Sequence, residues 1–219
     1  MNSARDAFVA RVFGARETLA DLCAGLIRVG SENPPGDTVG IAEAIAEILG
    51  RIPGLSLRRV SAWAPVMNLV ARLPFASPGR RLVFNGHLDT FPIGDPAQWT
   101  RPPLGGVIED GRIFGRGAAD MKAGLAAAVL AAILLGEVRE HLAGELVLAL
   151  AGDEETGGAW GAQYLLSHVP EVLGDAMICG DAGSPQVVRF GEKGQIWLEL
   201  RARGRANHGA HVHPVSSIG

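Results

Sequence analysis

Cysteine is scarce in this chain, with only Cys23 and Cys179 among 219 residues. No C-x-x-C spacing occurs, so a disulfide framework is not supported, and two reduced thiols in a cytoplasmic protein are the expectation. A basic run is lacking too, and the net charge is −3. That excludes the electrostatic footprint of a nucleic-acid binder or of a protein attracted to anionic membranes. The longest apolar run, residues 123–136, has fourteen residues, against the roughly 20 that a bilayer span requires. The N-terminal stretch mixes charges every few residues and lacks the apolar core of a secretory signal. No internal repeat or low-complexity segment is evident.

Glycine and proline are plentiful, at 30 and 13 residues, and they gather in turns beside acidic motifs, as shaped loops do. Apolar content is 47% and charged content 20%, ordinary for a globular protein. Apolar spacing predicts one helix over about 4–29. SENPPGD then breaks it, and Asp37 or Thr38 caps a second helix through IAEAIAEILGRI. Strands are expected at 55–60 (a short edge), 66–73 and 81–85, with a turn at SPGR between the last two. A long loop runs over 90–106 with four prolines and Trp99, a length more common in functional loops. A hairpin piece at 111–115, a buried helix from Asp120 to about Leu135, a strand at 145–151, a helix at 160–168 and a short buried strand at 176–179 follow. Beyond Gln186 the pattern changes to alternating strands at 187–190 and 194–203.

Strands alternating with helices imply an α/β fold with a mixed sheet and helices on both faces. Residues 1–186 are expected to form the N-terminal part of that domain, and 187–219 the start of an α+β lid. In open α/β sheets, ligands bind beyond the carboxyl ends of the strands. His87, Glu154, Glu155 and Asp181 each sit just after an apolar strand. Carboxylates and imidazoles there are costly unless something binds them, and a His–carboxylate mix suits borderline divalent metals.

Each motif also has a plainer reading. His87 and Asp89, two apart, share one face of an extended segment, so the carboxylate can fix the imidazole tautomer for a metal. Taken alone, a surface turn explains them as well. Asp120 could simply cap a helix. Asp153, Glu154 and Glu155 could be a solvated acidic loop, or could divide the work, one Glu coordinating and its neighbour acting as general base. Asp181 could be a turn residue. A polar loop accounts for His211 and His213. What singles these motifs out is that they occur together and in this order.

Together they resemble the M20 family of dinuclear metallopeptidases and deacylases, the group of acetylornithine deacetylase, succinyl-diaminopimelate desuccinylase and glutamate carboxypeptidase. The residues that carry the resemblance are GHLDTFP at 86–92, GRGAADMKAG at 115–124, DEETGG at 153–158, GDAG at 180–183 and GEKG at 191–194, with SENPPGD at 31–37 and WTRPP at 99–103. It implies a zinc-peptidase-like catalytic domain holding two divalent ions, zinc first, with cobalt or manganese as alternatives. His87 and Asp181 would hold one ion and Glu155 the other. Asp120 would bridge them and be followed by a cis peptide bond. Asp89 would orient His87, and Glu154 would be the general base. His208 matches a lid histidine that reaches a partner's active site in dimeric members, so a homodimer through the lid is implied for a full-length protein.

The second metal's last ligand in that family is a histidine late in the catalytic domain, and no histidine follows His213. The chain is therefore expected to be an N-terminal fragment with a truncated lid, incomplete for activity alone and prone to aggregate through open strand edges. The implied reaction is hydrolysis of the amide bond of an N-acyl amino acid or small peptide. A non-catalytic metal- or partner-binding fragment is the alternative, and cleavage of an N-carbamoyl amino acid ranks below both.

Overall fold

The most apolar strand of the sequence sits at the centre of a five-stranded sheet. The computed structural model describes residues 3–183 together with 186, 194, 196 and 198–201. The chain divides into two units, Met1–Gly183 and Ser184–Gly219, and the first holds the sheet.

Three helices come first: α1 (Ser3–Gly14), α2 (Arg16–Ile27) and α3 (Val39–Leu49). The single N-terminal helix expected from apolar spacing is therefore two, because Ala15 leaves the helical region at φ −86°, ψ 16°. At the start of α3 the two cap candidates divide the work. The Asp37 carboxylate accepts the Val39 amide at 3.1 Å. The Thr38 hydroxyl instead donates to the Met67 carbonyl at 2.9 Å and accepts its amide at 2.8 Å, fastening the helix to the sheet.

The sheet comprises β1 (Ser56–Trp63), β2 (Val66–Pro74), β3 (Ser77–His87), β6 (Ala143–Ala151) and β7 (Ala176–Cys179), in the order β1-β2-β6-β3-β7; β4 (Val107–Glu109) and β5 (Arg112–Phe114) form a separate hairpin. β2 runs antiparallel to β1 and β6, while β3 lies parallel to both β6 and β7. This is the expected mixed sheet. The turn expected at SPGR moves back to Phe75 and Ala76. Residues 77–80 belong to β3, which shifts register between Ser77 and Arg81. Such an irregularity near a strand end accommodates Pro78, which has no amide to give the ladder.

Alternate side chains of the central strands face opposite layers, as the pleat requires. Leu146, Leu148 and Leu150 of β6 join Leu69 and Leu73 of β2 against α2, α3 and α4 (Ala123–Val138). Val147, Ala149 and Ala151 join Val70 and Val83 beneath Leu165 of α5 (Ala162–His168) and Val169. Helices thus cover both faces. At the end of the sheet away from the His87 and Ala151 termini, Glu145 ties three strands together, reaching Arg72 at 2.8 Å and Arg81 at 2.5 Å.

Three elements depart from the sequence reading. The helix expected from Asp120 begins at Ala123, because Asp120 and Met121 take non-helical φ/ψ in the turn Ala118–Lys122. With its flanks, the helical run Ala118–His141 reaches 24 residues and is apolar enough to cross a bilayer by length and composition. Leu125, Val129 and Ala132 nevertheless lie buried in the main core, as in a core helix.

β7 is not buried either. It is an edge strand whose four residues are all exposed, Met177 at 64%. Apolar composition equips a strand for burial, but nothing among the described residues covers this one. Likewise residues 194, 196 and 198–201, expected within a strand, take no regular structure, and Ile196, Leu198 and Leu200 are exposed. A strand needs a ladder partner, and none is present there among the described residues.

Candidate metal centre

The three parallel strands end on one rim of the sheet. β3 pairs with β6 up to His87 opposite Ala151, and with β7 up to Asn85 opposite Cys179. The segments that leave these strands carry Asp89, Glu154, Glu155 and Asp181. Asp120 comes from no strand of this sheet but from the turn Ala118–Lys122 that feeds α4. That turn is held by close packing: Met121 Sδ lies 3.0 Å from the His87 amide. A Cβ added at Gly124 would stand 2.1 Å from the Gly180 carbonyl oxygen, so only glycine lets the start of α4 approach the Asp181 segment this closely. The Asp120–Met121 peptide bond is cis.

His87 is buried and is the hub of the cluster. Its Nδ1 lies 2.9 Å from the Asp89 main-chain carbonyl and 3.4 Å from the Asp89 carboxylate. Asp89 thus meets the ring nitrogen with both its carbonyl and its carboxylate, the latter being the group that the sequence reading has orienting the imidazole. Nε2 is thereby aimed at carboxylates: Asp120 at 2.9 Å, Asp181 at 3.8 Å and Glu154 at 3.9 Å. Two sets of potential ligand atoms each lie within 4.8 Å of one another: His87 with Asp120 and Asp181, and His87 with Glu154 and Glu155. Among the described residues no such set of three joins Asp120 to Glu155.

Asp89 is fully buried, and both of its carboxylate oxygens are engaged. Oδ1 accepts the Glu154 amide at 3.1 Å, and Oδ2 accepts the Glu155 amide at 3.0 Å. Glu155 returns the contact, its carboxylate accepting the Phe91 amide at 3.0 Å. Glu154 projects outward with its side chain 54% exposed, and that of Asp120 is 48% exposed. His208 lies outside the described residues.

So many acids around one imidazole leave their mark on its ionisation. Burial opposes a charge on His87, but the carboxylate of Asp89, then those of Glu154 and Asp120, outweigh it and hold the imidazolium up to about 9. Glu155 is pushed up to about 7 by burial and then by repulsion from Asp120. Glu154 is raised chiefly by burial, with Asp181 and Asp89 repelling it further. Asp89 moves the other way: burial penalises its charge, but bonds from His87, Asn33 and the two Glu amides win and lower it. A proton on His87 and a partial proton on Glu155 occupy the places where a divalent cation fits. The donor set of one imidazole and several carboxylates within ligand distance of each other suits such an ion.

Two residues escaped the sequence reading. Asn33, buried in the SENPPGD loop, donates from its side-chain amide to Asp89 at 2.8 Å and to Thr156 at 2.9 Å, with Asp153 at 3.4 Å. Lys122 is fully buried and donates to the Val29 carbonyl at 2.7 Å, just beyond the end of α2. Burial lowers this amine to about 8, with Cys23 pulling less strongly the other way. The only clue to either residue in the sequence was a polar side chain inside a motif.

Residues 83–214 match the family described as Peptidase family M20/M25/M40. The chain belongs to this family. The M20 match agrees with the resemblance drawn from the motifs. The chain is 38% identical over 201 residues to the succinyl-diaminopimelate desuccinylase of Paracoccus denitrificans, covering 89% of this chain and 51% of that protein. It spans about half the length of the curated relatives it matches. Its fold is similar to that of human carnosine dipeptidase 1, with a TM-score of 0.70 at 18% identity over 82% of this chain and 41% of that one. It is also similar to the YXEP protein of Bacillus subtilis, described as a dinuclear metal binding peptidase from the M20 family, with a TM-score of 0.50 at 18% identity over 74% of this chain and 39% of that one.

Proposed function

We propose that this chain carries most of the ligand set of a two-metal hydrolase that cleaves the amide bond of an N-acyl amino acid or small peptide. The observation that carries the proposal is the convergence on His87 Nε2 of Asp120, Glu154 and Asp181, all within 3.9 Å. The 38%-identical desuccinylase supports an N-succinyl amino acid as the first substrate to test, and the name of the Bacillus subtilis neighbour supports two ions.

In this reading His87, Asp120 and Asp181 hold one ion and Glu155 contributes to a second, with zinc the first choice and cobalt or manganese the alternatives. Bound ions would supply Lewis-acid polarisation of the amide carbonyl and make water more acidic. Glu154 stands beside this cluster without being locked into it. Its raised affinity for protons suits it to take one from the attacking water and pass it to the leaving amine. Asp89 keeps Glu154 and Glu155 in place through their amides. Asp120 as a bridge between the ions, His208 as a partner-supplied oxyanion donor, a homodimer through 187–219 and a cytoplasmic site all belong to the same proposal.

The test is metal titration of the purified chain, followed by hydrolysis of N-succinyl, N-acetyl and N-carbamoyl amino acids. Uptake of metal with release of amine from the succinyl substrate supports the reading. Because the chain spans about half the length of its relatives, an absence of turnover is decided on metal stoichiometry: uptake of two ions keeps the two-metal reading, and uptake of one or none returns the chain to the non-catalytic metal- or partner-binding alternative.

A further inference from the structure

Glu154 and Glu155 stand on a short loop after β6, and their spacing from His87 depends on where that loop's backbone lies. Two buried carboxylates control it. Asp89 takes both glutamate amides from one side. Asp153 closes the loop from the other: its Oδ2 accepts the Trp160 amide at 2.9 Å and its Oδ1 accepts the Thr156 hydroxyl. Asp89 and Asp153 are both buried, and carboxylate oxygens facing one another there bring acceptors and no donor. Leaving such acceptors unpaired is costly, so the junction of the loop with the His87 segment calls for a donor between them.

Asn33 is that donor. Its side-chain nitrogen lies 2.8 Å from Asp89 Oδ2, 2.9 Å from Thr156 Oγ and 3.4 Å from Asp153 Oδ1. Its segment is held to Thr90 by two backbone bonds: the Asn33 amide donates to the Thr90 carbonyl at 2.8 Å, and the Thr90 amide donates to the Ser31 carbonyl at 2.9 Å. One side-chain amide therefore joins three segments, 31–37, 87–90 and 153–156, and spans 56 and 123 residues of sequence to do so.

We infer that Asn33 is a positioning residue for Glu154 and Glu155, acting through Asp89 and Asp153 and touching neither a reacting atom nor an ion. The inference rests on the roles proposed above for those two glutamates. A carboxamide is the group the position calls for: neutral, so it adds no charge between two carboxylates, and with two N–H bonds to divide among three acceptors. Aspartate there would have the same shape but would offer a third acceptor in place of the donor, and alanine would leave the acids facing each other unbridged.

The test compares the wild-type chain with Asn33→Ala and Asn33→Asp. Amide hydrogen exchange at Glu154 and Glu155 is read by NMR beside Val147 and Leu148 in the middle of β6. Cobalt(II) is then titrated into each sample and its visible spectrum followed. The expected result is exchange at Glu154 and Glu155 faster by about tenfold or more in both variants, with β6 protected as in wild type. Cobalt affinity should fall by about 10–100-fold, the range typical for loss of a residue behind the ligands, and the cobalt spectrum should change. Unchanged protection at Glu154 and Glu155 overturns the inference, as does equal loosening of β6, which would mark a general structural role. Should Asn33→Ala fail to fold, Asn33→Ser is read in its place. If wild type takes up no cobalt, the metal reading fails by itself, and the exchange data still decide the role of Asn33.

Discussion

Asp89 and Glu154 are joined through the main chain: the carboxylate of the first accepts the amide of the second at 3.1 Å, across 65 residues of sequence. The residue that lies against the His87 ring thus also sets the backbone of the proposed general base. Asp89→Asn keeps the shape but puts an amide NH2, a donor, where one of the two oxygens now accepts the Glu154 or Glu155 N–H. It should lower metal affinity by about 10–100-fold, and the lost loop bond should lower turnover beyond what saturating metal restores. Titration of metal against activity separates the two effects.

Glu154 and Glu155 differ in their surroundings although they are neighbours. Glu155 is tied to the Phe91 amide, and Glu154 projects outward with its carboxylate 3.9 Å from His87. Glu154→Gln should leave metal content unchanged and cut kcat by about 10²–10⁴-fold, the range for loss of a general acid–base group. Glu155→Ala should lose bound metal. Elemental analysis of the dialysed variants, read beside kcat, checks both, and equal metal loss in the two would sink the division of roles.

Protons and metal compete for this cluster. At pH 7 the His87 imidazolium, held up to about 9, is charged, and Glu155, at about 7, is half protonated. Metal uptake at that pH should release more than one proton, and apparent affinity should climb with pH and level off above about 9. Calorimetry in buffers of different ionisation enthalpy counts the protons. Both groups bind protons more tightly folded than unfolded, so the metal-free protein should lose stability as pH rises. Glu155 contributes between its ordinary 4.5 and about 7, and His87 between 6.5 and about 9. Thermal melts across that range, with chelator and with zinc, should diverge toward high pH.

Gly124→Ala tests the junction between α4 and the Asp181 segment. The added methyl meets the Gly180 carbonyl, so one of the two must withdraw. Affinity for the ion held by His87, Asp120 and Asp181 should fall, while uptake at Glu155 should change less. Metal stoichiometry over a titration shows whether the loss falls on one ion.

Leu148 gives the contrasting stability prediction. It is buried on the three-helix face of β6, far from any ligand role. Leu148→Ala should destabilise the fold by about 2–5 kcal/mol in denaturant unfolding, with metal affinity unchanged in the folded fraction.

Local pattern made much of this legible in the sequence. His87, Asp89, Glu154, Glu155 and Asp181 stand where apolar strands give way to turns, Asp120 stands where a glycine-rich turn feeds a helix, and the structure brings His87, Asp120, Glu154, Glu155 and Asp181 together. What was missed depends on partners distant in sequence. Asn33 lies in a proline-rich loop with no periodicity, and its role exists only because residues 89 and 153–156 fold onto it. The break at Ala15 turns on one residue's φ/ψ inside an unbroken apolar pattern. β7 has the composition of a buried strand and stands at an edge. Composition states what a segment can bury, while the neighbours it meets decide whether it does.

The side-by-side parallel pairing of β6, β3 and β7 has a consequence for motion. Strands bonded in one ladder flex together, so when the sheet twists or breathes, its three ends travel in the same direction by similar amounts. Displacement of the rim as a whole changes the distances within it little. Asp120 is outside that arrangement, borne on a turn that feeds a helix. The distances from Asp120 to the rim should therefore depend on how firmly Met121 against the His87 amide and Gly124 against Gly180 couple that turn to the strand ends.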